Sequence, residues 1–342
     1  MKKQRVLVLM HEDLVPPESM EGYSDQETLA WKTEFDVVST IREMGHDVRP
    51  LGVFDDLGPL REAIHEWKPD VAFNLLEEFH GVGVYDHHVV SYLELMKQPY
   101  TGCNPRGLLL AHDKILSKKI LTYHRISNPR FLVFPRGKSI RPPKNAPYPL
   151  LVKSASEEAS LGIAQDSIVH NDEKLKERVE FIHDKIKTDA LVEEYIEGRE
   201  LYVGVLGNRR LQTFPIWEML FTKAPAGMAQ IATAKVKWDV KYQQKLGIAT
   251  RAAKDLPNGL EAKIVRVCKR IYRALNLSGY ARMDLRMTPD GKIYVLEANP
   301  NPNLSYGEDF AESADKGGIT YEELLQKIIN LGTRYKAAWQ SI

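Results

Sequence analysis

Apolar and polar positions along the chain follow two different rhythms, and the change between them divides it. Arg5 to Met10 is an unbroken apolar run that predicts a buried strand. Leu29 to Met44 places Val37, Val38, Ile41 and Met44 at helical spacing, with Gly45 as a stop. Asp47 to Val53 reads as a strand, a short helix ends near Trp67, Val71 to Leu76 is another buried strand, and Val89 to Met96 another helix. Strand and helix in alternation predict a doubly wound parallel sheet with helices on both faces, where ligands gather at the carboxyl ends of the strands.

Past the helix predicted for Asp113 to Tyr123 the rhythm changes. Phe131 to Phe134 is followed by Pro135, Pro142, Pro143, Pro147 and Pro149, which interrupt regular structure. Leu150–Lys153, Ala190–Ile196, Glu200–Leu206 and Leu211–Trp217 then predict strands of one small antiparallel sheet, with a helix between Asp172 and Lys187. Phe221 to Lys245 has no clean period. A helix over Leu260–Leu275, a hairpin reaching Glu297 and a terminal helix from Tyr321 to about Trp339 complete the pattern.

The hairpin carries the most chemistry. Asp290-Gly291 lies between two apolar runs, a strong turn signal. With those two residues as the turn, Asp284 pairs with Glu297 and Arg282 with Asn299. All four then share one face, while Met283, Leu285, Leu296 and Ala298 take the other. Two carboxylates directly opposite repel, and a hard cation between them would answer the repulsion. The competing readings are a solvated face and a one-residue slip.

Composition adds exclusions. The chain has 342 residues, enough for two or three packed domains, and a formal net charge of +1, which gives no bias toward nucleic acid or membranes. Two cysteines, Cys103 and Cys268, make no disulfide framework, and no stretch approaches the roughly 20 apolar residues that cross a bilayer. A cytoplasmic protein is expected.

At this point the residues resemble the ATP-grasp superfamily, and within it the D-alanine–D-alanine ligase branch. The motifs are Tyr100-Thr101-Gly102, His112-Asp113-Lys114 with Ser117-Lys118, Leu151-Val152-Lys153 through Ser160-Leu161-Gly162, Leu191 to Ile196 with Glu200, and Arg282, Asp284, Glu297 and Asn299. The resemblance implies an α/β, three-domain ATP-grasp architecture: an N-terminal domain over 1–110, a central lobe over 111–198 and a C-terminal lobe over 199–342, the last two enclosing ATP between antiparallel sheets. Lys114 and Lys153 would contact phosphates, with Glu158, Ser160 and Gly162 in a loop over the γ-phosphate. Backbone groups of Glu194 and Ile196 would read adenine, the Glu193 side chain would lie near its amino group, and Glu200 would accept from the ribose. Lys235, or Lys237 two residues on, would be a further phosphate ligand. Asp284, Glu297 and Asn299 would hold magnesium, with manganese as an alternative. Arg282 would stabilise an oxyanion, and His80 would orient the substrate carboxylate.

The implied activity is a carboxylate–amine ligase that works through an acyl phosphate on small molecules. A homodimer would follow family habit. The family's Gly-Gly-x-Ser-x-Glu segment is replaced by Met10 to Pro17. A serine and a tyrosine that support its glutamate give way to Ala159 and to Val236 or Trp238, and a later Ser-Leu pair falls near Glu308-Asp309. The expected substrates are therefore not two D-alanines. The rivals are a small-molecule kinase and a nucleotide-binding protein without turnover.

Overall fold

The computed structural model describes residues 3–156 and 162–337. The chain begins with β1 (Arg5–His11), α1 (Asp25–Glu43), β2 (Asp47–Val53), α2 (Gly58–Glu66), β3 (Val71–Asn74) and α3 (Asp86–Leu95). The strands are parallel in the order β2-β1-β3. Period-two alternation sorts the side chains of β1. Val6, Val8 and Met10 pack with Val37, Val38 and Ile41 of α1, whereas Leu7 and Leu9 pack with Leu60 of α2 and Val90 and Leu93 of α3. α1 starts earlier than its apolar period. Ser24 caps it in a box with Glu27, and Trp31 leaves helical geometry at φ −123°, so the periodic stretch belongs to the turns after that break.

Next come α4 (Pro105–His112), α5 (Lys114–Tyr123, capped by Asp113), β4 (Phe131–Phe134), β5 (Leu150–Ser154), β6 (Ile168–Val169), α6 (Asp172–Phe181, running into a π turn at Ile182–Ile186) and β7 (Ala190–Glu194). These four strands make one sheet in the order β4-β7-β5-β6. A second sheet holds β8 (Arg199–Leu206), β9 (Gln212–Thr213), β10 (Trp217–Phe221), then, after α7 (Ala234–Trp238) and α8 (Val240–Leu246), β11 (Ile248–Ala252), and, after α9 (Leu260–Ala274), β12 (Tyr280–Met287) and β13 (Ile293–Pro300). Its order is β11-β10-β8-β12-β13, with β9 beside β8. α10 (Asp309–Lys316) and α11 (Tyr321–Arg334) close the chain.

Four expectations change. The single small sheet becomes two, because the chain crosses between β7 and β8 at Gly198. Its φ is +148°, and a Cβ there would lie 2.1 Å from the Met287 carbonyl oxygen, so only glycine makes the crossing. The strand expected over Leu211–Trp217 is two strands, since Pro215 brings no N–H to a ladder. The aperiodic stretch to Lys245 contains α7 and most of α8, and β11 follows it. The last helix stops at Arg334, with Tyr335 extended, not near Trp339.

The hairpin reaches its predicted pairing by two compensating departures. Gly291 N–H donates to Thr288 O and Thr288 N–H to Lys292 O, so the loop has three residues, Pro289 to Gly291, with Gly291 at φ +76°. That pairs Leu285 with Val295, one residue out of the two-residue-turn register. A bulge at Leu296 restores it, and Asp284 faces Glu297 and Arg282 faces Asn299. Leu296 consequently lines a cleft, and Val295 takes the buried position.

The outer face of the larger sheet, with Leu201, Val203, Val205, Met283 and Leu285, is covered by Ile264, Cys268 and Ile271 of α9. Its other face is left for the polar residues of the alternation. α11 returns across the molecule to β3 and α1, where Leu324, Leu325, Ile328 and Ile329 complete the core begun by β1.

Candidate active site

Between the two antiparallel sheets lies a cleft enclosing about 930 Å³ of empty space, part of it open to solvent. The smaller sheet contributes Leu151, Lys153, Ser154 and Glu193; the larger contributes Glu200, Tyr202, Asp284, Arg286, Leu296, Glu297 and Asn299. Lys114, on the first turn of α5, and Lys237, on α7, enter from the rim.

Period-two alternation explains the larger sheet's face. Asp284 pairs with Tyr202 and Arg286 with Glu200 across β12 and β8, so all four point one way. Arg286 donates to Glu200 Oε2 (2.7 Å), Gly198 O (2.8 Å) and Gln230 O (2.5 Å), and the Tyr202 hydroxyl donates to Glu200 Oε1 (2.8 Å). The expected ribose acceptor is thus already held by two donors, and the same arginine fixes the loop that carries Ile231 and Ala232 over the cleft.

The opposed acids also have side-chain partners of their own. Arg282 grips Asp284 with two hydrogen bonds (Nε to Oδ1 2.8 Å, Nη2 to Oδ2 2.9 Å), and Asn299 donates to Oδ2 at 2.9 Å. Burial still raises the Asp284 pKa against that pull. Glu297 behaves oppositely: burial would raise it, but Lys114, Lys153, Lys237 and Arg282 together hold it below the usual carboxylate range. Three adjacent oxygen donors, Asp284, Glu297 and the Asn299 amide, with no softer ligand among them, fit a hard divalent cation.

Deeper in, Glu193 lies between two lysines. Its Oε1 is 2.9 Å from Lys118 Nζ and 3.1 Å from Lys153 Nζ, all three side chains being buried. Burial pushes Lys118 down. Lys153 is also buried, but Glu193, Glu297 and Glu200 lift it above its ordinary value. Glu193, expected near an adenine amino group, is committed to these ammonium groups.

Other expected residues are placed differently. Lys235 is exposed and does not line the cleft; Lys237 does, because the short α7 turns that side inward. His80 is exposed, stacked on Phe54 and 3.8 Å from Asp55, at φ +56° in a loop outside the cleft lining. The Glu194 N–H donates to Arg130 O (2.8 Å), and neither Glu194 nor the buried Ile196 lines the cleft. Gly162 is at φ +73° against Ile186, and its carbonyl accepts from Arg178; Glu158 and Ser160 lie outside the described residues. Arg282 stacks over Tyr202 and comes within 4.0 Å of Asp309. The roles of Lys118, Tyr202 and Arg286 were missed, though each had a signal: Lys118 is one turn from Lys114, and Arg286 continues the alternation of Arg282 and Asp284.

The fold and this cleft have relatives. Residues 130–330 match the family described as D-ala D-ala ligase C-terminus. The uncharacterized protein y4sG of Sinorhizobium fredii is 31% identical over 309 residues, covering 87% of this chain and 86% of that one. The D-alanine--D-alanine ligase of Geobacter sulfurreducens is 30% identical over 313 residues, 91% of each. A Bacillus anthracis D-alanine--D-alanine ligase solved in complex with ATP shares the fold at TM-score 0.73 and 24% identity, over 97% of this chain and 98% of that one. The architecture is therefore that of an ATP-grasp ligase. The chain belongs to the D-alanine–D-alanine ligase family and is a carbon–nitrogen ligase of that class.

Proposed function

We propose that this ligase activates a small carboxylate as an acyl phosphate with ATP and magnesium, lets an amine capture it, and uses substrates other than two D-alanines. The observation that carries the reading is the convergence of Lys114, Lys153 and Lys237 on the cleft that also presents Asp284, Glu297 and Asn299. Bound there, magnesium would be held by those three oxygen donors and, with ATP, would supply a phosphoryl donor and neutralise its charge.

The chain's own groups account for the rest. The lysines hold phosphate charge as compact point cations. Arg282, locked on Asp284 and flat against Tyr202, keeps its guanidinium beside the reacting face, where it stabilises a developing oxyanion. Leu151, Ile163, Ile231 and Leu296 form apolar walls that limit water, to which an acyl phosphate would be lost.

The substrate end supports a departure from two D-alanines. In place of a glycine-rich turn, β1 ends at His11, which packs edge-on to Phe54 with its Nε2 3.4 Å from Glu78. Beyond the metal face stand Glu308 and Asp309, beside Arg282.

The test is phosphate release across a panel of amino acids and short peptides, with magnesium or with chelator, followed by mass spectrometry. ADP formation that needs both an acid and an amine, with a product one water lighter than their sum, is expected. A stable phosphate product that accumulates over many turnovers without amine would make the protein a kinase, and full activity on D-alanine alone would overturn the substrate reading. Glu297→Gln is expected to lower turnover at least about 100-fold while the protein stays folded; unchanged turnover would remove the metal assignment.

A further inference from the structure

Lys118 lies on the same helix face as Lys114, one turn on, yet it is 1% exposed and does not line the cleft. A buried lysine needs a reason, because its ammonium loses its hydration. Its Nζ is 2.9 Å from Glu193 Oε1 on the smaller sheet and 3.4 Å from Leu296 O on the larger. Leu296 is the bulged residue that sets Glu297 opposite Asp284. One ammonium thus spans both walls of the cleft from behind.

The second partner of Glu193 is Lys153, at 3.1 Å, which does line the cleft. One carboxylate shared by two ammonium groups leaves one positive charge over. If Lys118 were absent, Glu193 and Lys153 would form a closed, neutral pair, and the cleft would lose one of the three lysine charges it presents to an anion.

We propose that Lys118 is a positioning residue for the nucleotide: it occupies Glu193 from behind, so that the Lys153 ammonium stays available to phosphate, and it braces the Leu296 bulge against α5. This rests on the reading of the cleft as a nucleotide site. Lys118 does not touch the reacting atoms. It acts through Lys153 and through the register of Glu297.

The test compares MgADP binding by calorimetry and steady-state kinetics for the full chain and four variants. Lys118→Met keeps the side chain's length and removes its charge. It is expected to weaken MgADP and raise the KM for ATP by at least about tenfold, while the KM values for the acid and the amine stay within about twofold. Lys118→Arg restores most of the affinity. In a Glu193→Gln background the same lysine change is expected to alter MgADP affinity by less than about twofold, since no carboxylate remains to capture Lys153. Where Lys118→Met folds poorly, Lys118→Gln, neutral but still able to donate to Glu193, takes its place in both backgrounds. Equal losses in both backgrounds, or equal rises in all three KM values, would reduce Lys118 to a structural residue and overturn the proposal. A wild-type chain that fails to bind MgADP would instead sink the nucleotide reading itself.

Discussion

Among single residues, Glu34 of α1 titrates far from where sequence would put it. It is buried, and that burial, with the negative charge of Glu77 adding to it, raises its pKa to about 7 from a usual 4.5. An acid with a raised folded pKa costs nothing below its unfolded value. It withdraws stability as pH climbs from 4.5 through about 7, where the unfolded chain ionises and the folded one resists. Glu34→Gln is therefore expected to add about 3 kcal/mol at pH 8 and nothing measurable at pH 4, read from denaturant midpoints at the two pH values. An equal effect at both would mean that the carboxyl is not the cause. None of this is legible locally: Glu34 stands among helical polar residues in sequence, and only packing buries it. The acids of the hairpin show the same limit from the other side. Their opposition followed from side-chain period and a turn signal, but which cations answer them did not. Lys114, Lys153 and Lys237 arrive from three distant segments.

At the scale of elements, the bulge at Leu296 decides whether the site exists. With a three-residue loop and no bulge, Glu297 and Asn299 would sit one register away from Asp284 and Arg282, and their side chains would turn toward α9. Deleting Leu296 removes only the extra residue and leaves Glu297 to follow Val295 opposite Asp284, so ligase activity is expected to stay within about tenfold of the parent. A loss of more than about 100-fold would show that the bulge itself, and not the register it restores, places the oxygen donors. The pairing was read correctly from an incorrect turn, because a residue gained at the loop and a residue gained at the bulge cancel. Apolar runs located β1, β2 and β12, and helical spacing located α9. The pattern missed α7 and α8, which are too short to show a helical stripe, and it merged strands that Gly198 sends into different sheets.

For the whole molecule, the C-terminal helix belongs physically to the first sheet. Leu324, Leu325, Ile328 and Ile329 of α11 share one core with Val6, Val8, Phe73 and Val37. A chain ended at Ile319 would expose that face of the parallel sheet. It is expected to lose its cooperative melt and to bind hydrophobic dyes; an unchanged melting temperature would show that α11 is dispensable. No sequence signal announced this long return, because an amphipathic helix specifies that it must be covered, not by what. The sequence by itself determined the two-sided elements, the parallel-then-antiparallel division, and the face shared by Arg282, Asp284, Glu297 and Asn299, since each follows from the period of side chains along a backbone. Only the tertiary structure decided that Glu193 is shared by Lys118 and Lys153, that Lys237 rather than Lys235 turns inward, and that Arg282 is locked on Asp284. Those are matters of which distant charges are desolvated together, and that is set by packing between segments far apart in the chain.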